Sequence, residues 1–237
     1  MIFRIVLILL VFYIIIYQWA NNIDVHIIDS KIPGPTVLIV GSTHGNEPAG
    51  TVTIENIISE NYFSIKKGKL LLVPRPNKLG YLCNMRYMPH RIINCDLNRN
   101  YPKEVGELPK EPISSKICQL ADKSDFIIDL HEGWGFHRLH PNSLGSGLYP
   151  GDTRNSISLS YYIAKQINTK IKDRNKKFVV GLNSHPELPS LRSYCNMIKR
   201  DYILVETTGQ KDIQPIQIRT NQMLTLIDCV LFRLKMI

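Results

Sequence analysis

The sequence predicts an α/β fold, a single three-layer domain in which helices flank a mostly parallel, mixed central sheet. The first observation behind this prediction is the pattern along the chain, and the second is the composition. Short apolar runs rich in β-branched residues alternate with longer segments of helical spacing, and proline or glycine separates many of them. The chain has 237 residues, of which 44% are hydrophobic and 21% charged. That is an ordinary globular composition, and it is enough chain for one self-sufficient core.

The predicted strands are short apolar runs that end at turn-forming residues. The first, TVLIV at 36–40, ends at Gly41, and the second, KLLLV at 69–73, is stopped by Pro74. Similar runs predict further strands at 126–130, 178–180 and 202–205. Runs without polar alternation are typical of strands buried on both faces of a parallel sheet. Ligands bind to such sheets at the carboxyl ends of the strands.

The predicted helices are amphipathic, and two of them begin at proline. Pro48 and Pro112 lie in the first turn of helices predicted at about 48–60 and 112–122, where proline is tolerated. Apolar residues at helical spacing predict longer helices at 155–171 and 218–234. Helices placed between strands supply the crossovers that parallel pairing requires.

Residues 1–20 are predicted to be a separate N-terminal signal anchor or signal peptide, ahead of a catalytic domain at 31–237. Every residue from 5 to 17 is apolar or aromatic, and Arg4 precedes this run. Cleavage after Ala20 would place Gln18 at a position that prefers a small residue, which favours an uncleaved anchor over a cleaved signal. We therefore expect a protein that is anchored in the membrane through residues 1–20, as a transmembrane helix, or secreted.

Charge and cysteines limit the other possibilities. The formal net charge is +9, but the basic residues are dispersed and no nucleic-acid-binding motif accompanies them, so no nucleic-acid partner is expected. The five cysteines include no CxxC pair. Neither a disulfide framework nor a cysteine zinc site is therefore predicted. A bridge between Cys83 and Cys95 is left open.

Two of the predicted strands lead into residues that are typical zinc ligands. His44 and Glu47 stand three residues apart after the first strand, and His131 stands one residue past the strand at 126–130. Imidazole and carboxylate are the usual ligands of catalytic zinc. The carboxyl ends of parallel strands lie at one edge of the sheet, so these side chains are candidates for one site.

Two further motifs carry charged groups suited to hydrolysis. Asp96, Asn98 and Arg99 form an Asp-x-Asn-Arg motif, with Arg91 five residues before it. Arginine presents a planar fork of donors that matches a carboxylate. Glu206 follows the strand at 202–205. A carboxylate at a strand's end, in a partly desolvated cleft, can have a raised pKa and serve as a general base.

Taken in order across roughly 36–210, these motifs resemble the succinylglutamate desuccinylase/aspartoacylase group of the zinc carboxypeptidase superfamily. The resemblance implies a zinc carboxypeptidase-like fold and one Zn²⁺ per chain, held by His44, Glu47 and His131. It implies these further roles: support of a ligand histidine from outside the coordination sphere by Asp96, binding of a substrate carboxylate by Asn98 and Arg99, polarisation of the scissile carbonyl by Arg91, and general base catalysis by Glu206.

The function that follows is hydrolysis of an amide bond in a carboxylate-bearing substrate by metal-activated water, as in N-acyl amino acid deacylases. The alternative is a metallocarboxypeptidase that trims peptides or cell-wall peptides, which the export segment favours. The expected partner is thus a small acylated amino acid or a peptide with a free carboxylate. A non-catalytic, membrane-anchored binding protein is disfavoured because every position that catalysis needs is filled.

Overall fold

The computed structural model describes residues 2–182 and 188–237. Its α/β architecture confirms the fold class predicted from the sequence. The described helices are α1 (Ile2–Ala20), α2 (Ala49–Ser59), α3 (Lys78–Leu82), α4 (Pro112–Asp122), α5 (Arg154–Thr169), α6 (Leu191–Met197) and α7 (Ile216–Arg233). The described strands are β1 (His26–Asp29), β2 (Thr36–Gly41), β3 (Lys69–Val73), β4 (Phe126–Gly133), β5 (Gly147–Pro150), β6 (Val179–Val180) and β7 (Asp201–Thr208).

The described strands form one seven-stranded mixed sheet in the order β1-β3-β2-β4-β7-β5-β6. Its centre is parallel, because β3, β2, β4 and β7 all run in one direction. Antiparallel pairs flank this centre, with β1 against β3 on one side and β5 against β7 on the other. After β2 the chain moves to β3, whereas after β4 it moves toward the opposite edge. The connections that follow β2 and β4 therefore diverge, and such a switch point opens a crevice at the carboxyl ends of the two strands.

Alternate residues of the central strands face two separate layers of helices. Val37 and Ile39 of β2 pack into a core with α2, α5 and α7. Leu38 and Val40, one residue out of phase with them, pack into a second core with α4 and α6. The period of two along a strand thus assigns every β residue to one of two sides of the sheet.

Two strands run further than the sequence predicts. The apolar runs predict that β4 ends at 130 and β7 at 205, but the two strands pair with each other through Gly133 and Thr208. The placement of His131 and Glu206 after their strands is therefore wrong, since both lie within them. His131 remains buried because the carboxylates of Glu47 and Asp129 contact its two ring nitrogens at 2.9 and 3.2 Å.

Several short elements have no counterpart in the sequence-based prediction: β1, β5, α3 and α6. The sequence of β5, GLYP, contains two residues that strands usually avoid, and pairing with the long edge of β7 compensates for that weak preference. The inclusion of β1 means that the sheet begins at His26, ahead of the predicted domain start at 31. Cys83 and Cys95 are free thiols in the structure.

The apolar N-terminal segment is helical, as α1, and its side chains from Ile5 to Ile16 are largely exposed. Its end packs on the domain: Ala20 is buried, and the Trp19 ring lies 5.2 Å from the Lys78 Nζ. Among the residues described, no helix is both long and apolar enough to cross a membrane. The predicted transmembrane helix is thus not supported, and the predicted localisation stays a prediction.

Candidate metal centre

The segment after β2 turns sharply and brings His44 and Glu47 together. Ser42 adopts a left-handed conformation with φ of 39°, and its Oγ donates a hydrogen bond to the Glu47 carbonyl at 2.7 Å. The Glu47 N–H donates to the His44 carbonyl at 3.1 Å, which closes the turn. Gly45 lies so close to a neighbouring segment that a Cβ would stand 1.9 Å from the Gly80 carbonyl carbon. A residue with a side chain would therefore displace this turn.

His131 of β4 completes a cluster of three potential ligands. The His44 Nδ1 lies 2.8 Å from the Glu47 Oε1, and the His131 Nδ1 lies 2.9 Å from the Glu47 Oε2. The two Nδ1 atoms are 3.1 Å apart. All three side chains are buried. The structure thus brings together the three residues that the resemblance proposes as ligands.

This donor set fits a zinc ion. Ligand atoms bound at about 2.1 Å to a tetrahedral ion lie roughly 3.4 Å from one another, and the corresponding distances here are 2.8, 2.9 and 3.1 Å. Two imidazole nitrogens and a carboxylate converge on one point, where a cation between them could contact all three. Three protein ligands are also the number typical of a catalytic zinc site, which keeps a fourth position open.

Two more carboxylates stand behind the imidazole rings. The Asp96 Oδ1 lies 3.4 Å from the His44 Nε2, and the Asp129 Oδ1 lies 3.2 Å from the His131 Nε2. These are ion-pair contacts, not well-aligned hydrogen bonds. The Tyr202 hydroxyl donates to the Asp129 Oδ2 at 2.9 Å. Carboxylates in this position keep each ring turned with its Nδ1 toward the cluster.

Asp129 has this position although no role is predicted for it from the sequence. The signal is the Asp-x-His spacing: on a strand, residues two apart face the same side of the sheet. A strand predicted to continue through His131 would have placed Asp129 beside it.

Oppositely charged neighbours together outweigh burial in setting the pKa values of two cluster residues. Burial alone would raise the pKa of Glu47, but His44 and His131 hold it well below its usual range. Burial would lower the pKa of His131, but Asp129 and Glu47 raise it well above its ordinary value. Three ligand atoms that converge in this way could all contact one divalent cation.

Glu206 of β7 stands directly opposite His131 in the strand register. Its side chain is buried at the cavity wall. Burial and the nearby Glu47 charge raise the pKa of Glu206 to about 8, against the opposing effect of His131. A cation in the cluster would act in the same direction as His131 and lower this value. Burial thus shifts the pKa of this carboxyl group upward, toward the range useful for proton transfer.

The arginine beside the cluster is Arg86 and not Arg91. The Arg86 Nη1 lies 3.3 Å from the His44 Nδ1 and 3.8 Å from the Glu47 Oε1, and its other nitrogens donate to the Asp96 Oδ2 at 3.1 and 3.2 Å. The Arg91 Nη1 instead donates to the Asn21 Oδ1 at 3.4 Å, near the end of α1. The structure therefore does not bring the predicted carbonyl-polarising residue to the site. Spacing from Asp96 alone could not distinguish the two arginines, because the loop between them has no regular structure.

A cavity of about 320 Å³ opens over the cluster. Asn98 and Arg99 line it, together with the ligands, Arg86 and Glu206. Asn98 is fixed from both sides, since its N–H donates to the Asp96 Oδ1 at 3.0 Å and its Oδ1 accepts from the Leu191 N–H at 3.2 Å. The structure thus places both predicted carboxylate-binding residues at the wall of the same cavity as the metal cluster.

The sequence comparisons agree with this architecture. Residues 33–142 match the family model of the succinylglutamate desuccinylase/aspartoacylase catalytic domain, which confirms the resemblance predicted from the motifs. The match includes the three cluster residues and ends before Glu206. A curated N-α-acetyl-L-2,4-diaminobutyric acid deacetylase from Halomonas elongata is 29% identical over 101 residues, which are 42% of this chain and 29% of the relative.

Solved structures share the fold at low sequence identity. The apo form of the cell shape determinant Csd4 from Helicobacter pylori aligns with a TM-score of 0.75 and 20% identity, over 91% of this chain and 55% of that protein. A succinylglutamate desuccinylase from a Silicibacter species aligns with a TM-score of 0.66 and 16% identity, over 91% and 61%. At such identities the likeness shows the fold alone. The chain spans little more than half the length of these structures.

Proposed function

Since residues 33–142 match the succinylglutamate desuccinylase/aspartoacylase catalytic domain, we propose that this chain is a zinc-dependent hydrolase of an amide bond. Its substrate carries a free carboxylate. The observation that supports this most directly is the buried His44–Glu47–His131 cluster, which lies at the wall of a cavity also lined by Glu206 and Arg86. The potential ligands, the Glu206 carboxyl group and the Arg86 guanidinium thus line one cavity.

Zinc bound there would supply a Lewis acid that polarises a carbonyl and makes water a better nucleophile near neutral pH. Glu206, in its ionised form, accepts the proton of the attacking water at its carboxylate and later delivers it to the departing nitrogen. Arg86 faces the same space and donates hydrogen bonds to the carbonyl oxygen as that oxygen becomes negative. Asp96 holds Arg86 in place through two nitrogens.

Asn98 and Arg99 orient the substrate through its free carboxylate. The Arg99 Nη1 donates to the Asn98 carbonyl at 2.6 Å, which keeps the guanidinium close to the Asn98 amide. An arginine fork and an amide together offer several donors to one carboxylate. This anchor would set the distance between the substrate carboxylate and the scissile bond.

The first candidate substrate is an N-acyl amino acid, because the matching domain is that of desuccinylases and aspartoacylases and the curated relative is a deacetylase. The second candidate is a peptide with a free carboxyl terminus. It is favoured by the likeness to Csd4, which is described as a D,L-carboxypeptidase and has been crystallised with a tripeptide. Both reactions use the same groups and differ in what the rest of the cavity accepts.

Metal analysis and a hydrolysis screen test the proposal. The purified full chain, reconstituted with zinc, is expected to hold about one zinc ion per chain. It should then release free amine from either a panel of N-acyl amino acids or a panel of short peptides. A chain that binds no zinc after reconstitution would contradict the proposal. Preference for one panel decides between the two substrate classes.

Replacing Arg99 by alanine is expected to raise KM for substrates with a free carboxylate by about tenfold or more, since a charged hydrogen bond to a carboxylate contributes roughly 1.5–3 kcal/mol. The same substrates with an amidated carboxyl group should show no such change. Steady-state kinetics on matched acid and amide pairs measure the difference. An equal loss on both members of a pair would argue against carboxylate binding by Arg99.

Arg86 and Arg91 form a matched pair of substitutions. Arg86→Ala is expected to lower kcat about 10²–10³-fold, as removal of an oxyanion donor does. Arg91→Ala should leave kcat within about twofold, because its guanidinium contacts Asn21 and not the cluster. Kinetics of the two variants at saturating zinc provide the measurement. The reverse order of effects would show that Arg91 supplies the donor, as the family resemblance implies.

A further inference from the structure

The segment that follows β7 stays beside β4, the strand that bears His131. The Gly209 N–H donates to the Gly133 carbonyl at 3.1 Å, so this segment continues the contact between β4 and β7. A Cβ at Gly209 would stand 1.5 Å from the Glu132 Oε2. The absence of a side chain there lets the backbone approach closely and brings the next residue, Gln210, to the cavity wall.

The Gln210 amide nitrogen bridges the backbone of β4 and a cluster residue. Its Nε2 donates to the Glu132 carbonyl at 2.7 Å and to the Glu47 Oε1 at 3.1 Å. An amide nitrogen carries two hydrogens, so it makes both bonds at once. Both partners are acceptors, which requires the nitrogen and not the oxygen of the amide to face them. The carbonyl therefore fixes the orientation in which the second hydrogen points at Glu47.

Glu132 is a rigid support for this contact. Its carboxylate accepts from the Ala49 N–H at 2.6 Å and forms a buried ion pair with Arg219 of α7. Its backbone N–H donates to the Glu47 Oε2 at 3.1 Å. Each oxygen of Glu47 thus receives a hydrogen bond, one from the Glu132 backbone and one from Gln210.

We propose that Gln210 is a positioning residue that holds the carboxylate of Glu47 in its metal-binding orientation. The inference rests on the proposed function, because it takes Glu47 as a zinc ligand. A hydrogen bond to a ligand carboxylate fixes the rotamer of that side chain in the metal-free protein. It also favours coordination of the metal through one carboxylate oxygen over the other. Loss of such a partner lowers metal affinity about 10–100-fold in zinc sites.

Gln210→Met tests the proposal, because methionine keeps the length of the side chain and removes the donor. We expect the zinc Kd, measured by competition with a chromophoric chelator, to rise about tenfold or more. The thermal unfolding midpoint of the metal-free chain should fall by no more than a few degrees, because one hydrogen bond to the Glu132 carbonyl is lost as well. Gln222→Met is the matched control, since the Gln222 amide reaches Gln214 and no cluster residue, and its zinc Kd should equal that of the wild type.

A second variant covers the case in which methionine disturbs folding. Gln210→Asn keeps the amide but is one methylene shorter, so it cannot span both acceptors, and we expect a smaller rise in the zinc Kd. An unchanged zinc Kd in both variants, in a wild type that binds zinc, would overturn the role of Gln210 alone. A wild type that binds no zinc in the same titration would instead overturn the proposed function.

Discussion

Replacing Glu206 by glutamine is expected to lower kcat by about 10²–10⁴-fold, the usual contribution of a positioned general base. The zinc content should not change, because Glu206 lies outside the ligand cluster. Glutamine keeps the shape of the side chain but cannot accept the proton of water. Kinetics and metal analysis on the same preparation measure both quantities.

The pH profile gives this prediction a second readout. Only the ionised carboxylate acts as a base, so kcat/KM of the wild type should fall tenfold per pH unit below the pKa of Glu206. Burial and Glu47 raise this pKa to about 8, and a bound cation lowers it, so the acidic limb should lie below pH 8. Glu206→Gln should lose that limb.

Glu60→Gln serves as the control for Glu206→Gln. Glu60 is exposed at the end of α2, so the same chemical change there should leave kcat and the pH profile unaltered. Substantial turnover by Glu206→Gln, with the acidic limb intact, would mean that another group accepts the proton.

Replacing His131 by alanine is expected to reduce the zinc content from about one ion per chain toward zero and to abolish hydrolysis. Two ligands cannot hold a zinc ion as three do. The substitution also leaves Glu47 and Asp129 buried without the imidazole that each contacts. Elemental analysis after equilibration with one equivalent of zinc makes the measurement.

His137→Ala is the matched control for His131→Ala. His137 lies in the connection between β4 and β5, and its Nδ1 contacts the Ser143 carbonyl at 2.8 Å. The variant should keep both zinc and activity. Full zinc occupancy in His131→Ala would show that the metal is held elsewhere, and the proposed function would then fail.

The limits of the sequence-based prediction are visible in the strands at the site. Apolar runs located β2, β4 and β7, because burial on both faces leaves a continuous hydrophobic signal. The same criterion ended β4 and β7 too early, since the residues that matter at the site are polar. Their burial depends on partners from distant segments, such as the contact of Tyr202 with Asp129, which no local pattern records.

The sequence by itself predicted the α/β fold class and, through the resemblance that the order of its motifs carries, the grouping of His44, Glu47 and His131, which the structure brings together. Strand periodicity and the order of motifs along the chain can be read from the sequence without knowledge of contacts. Only the tertiary structure decided that Arg86 and not Arg91 faces the cluster, that Asp129 stands behind His131, and that Gln210 reaches Glu47. These contacts depend on how strands and loops that are distant in sequence pack around one crevice. Close approaches at glycines and long-range hydrogen bonds determine which side chain lies at the cluster.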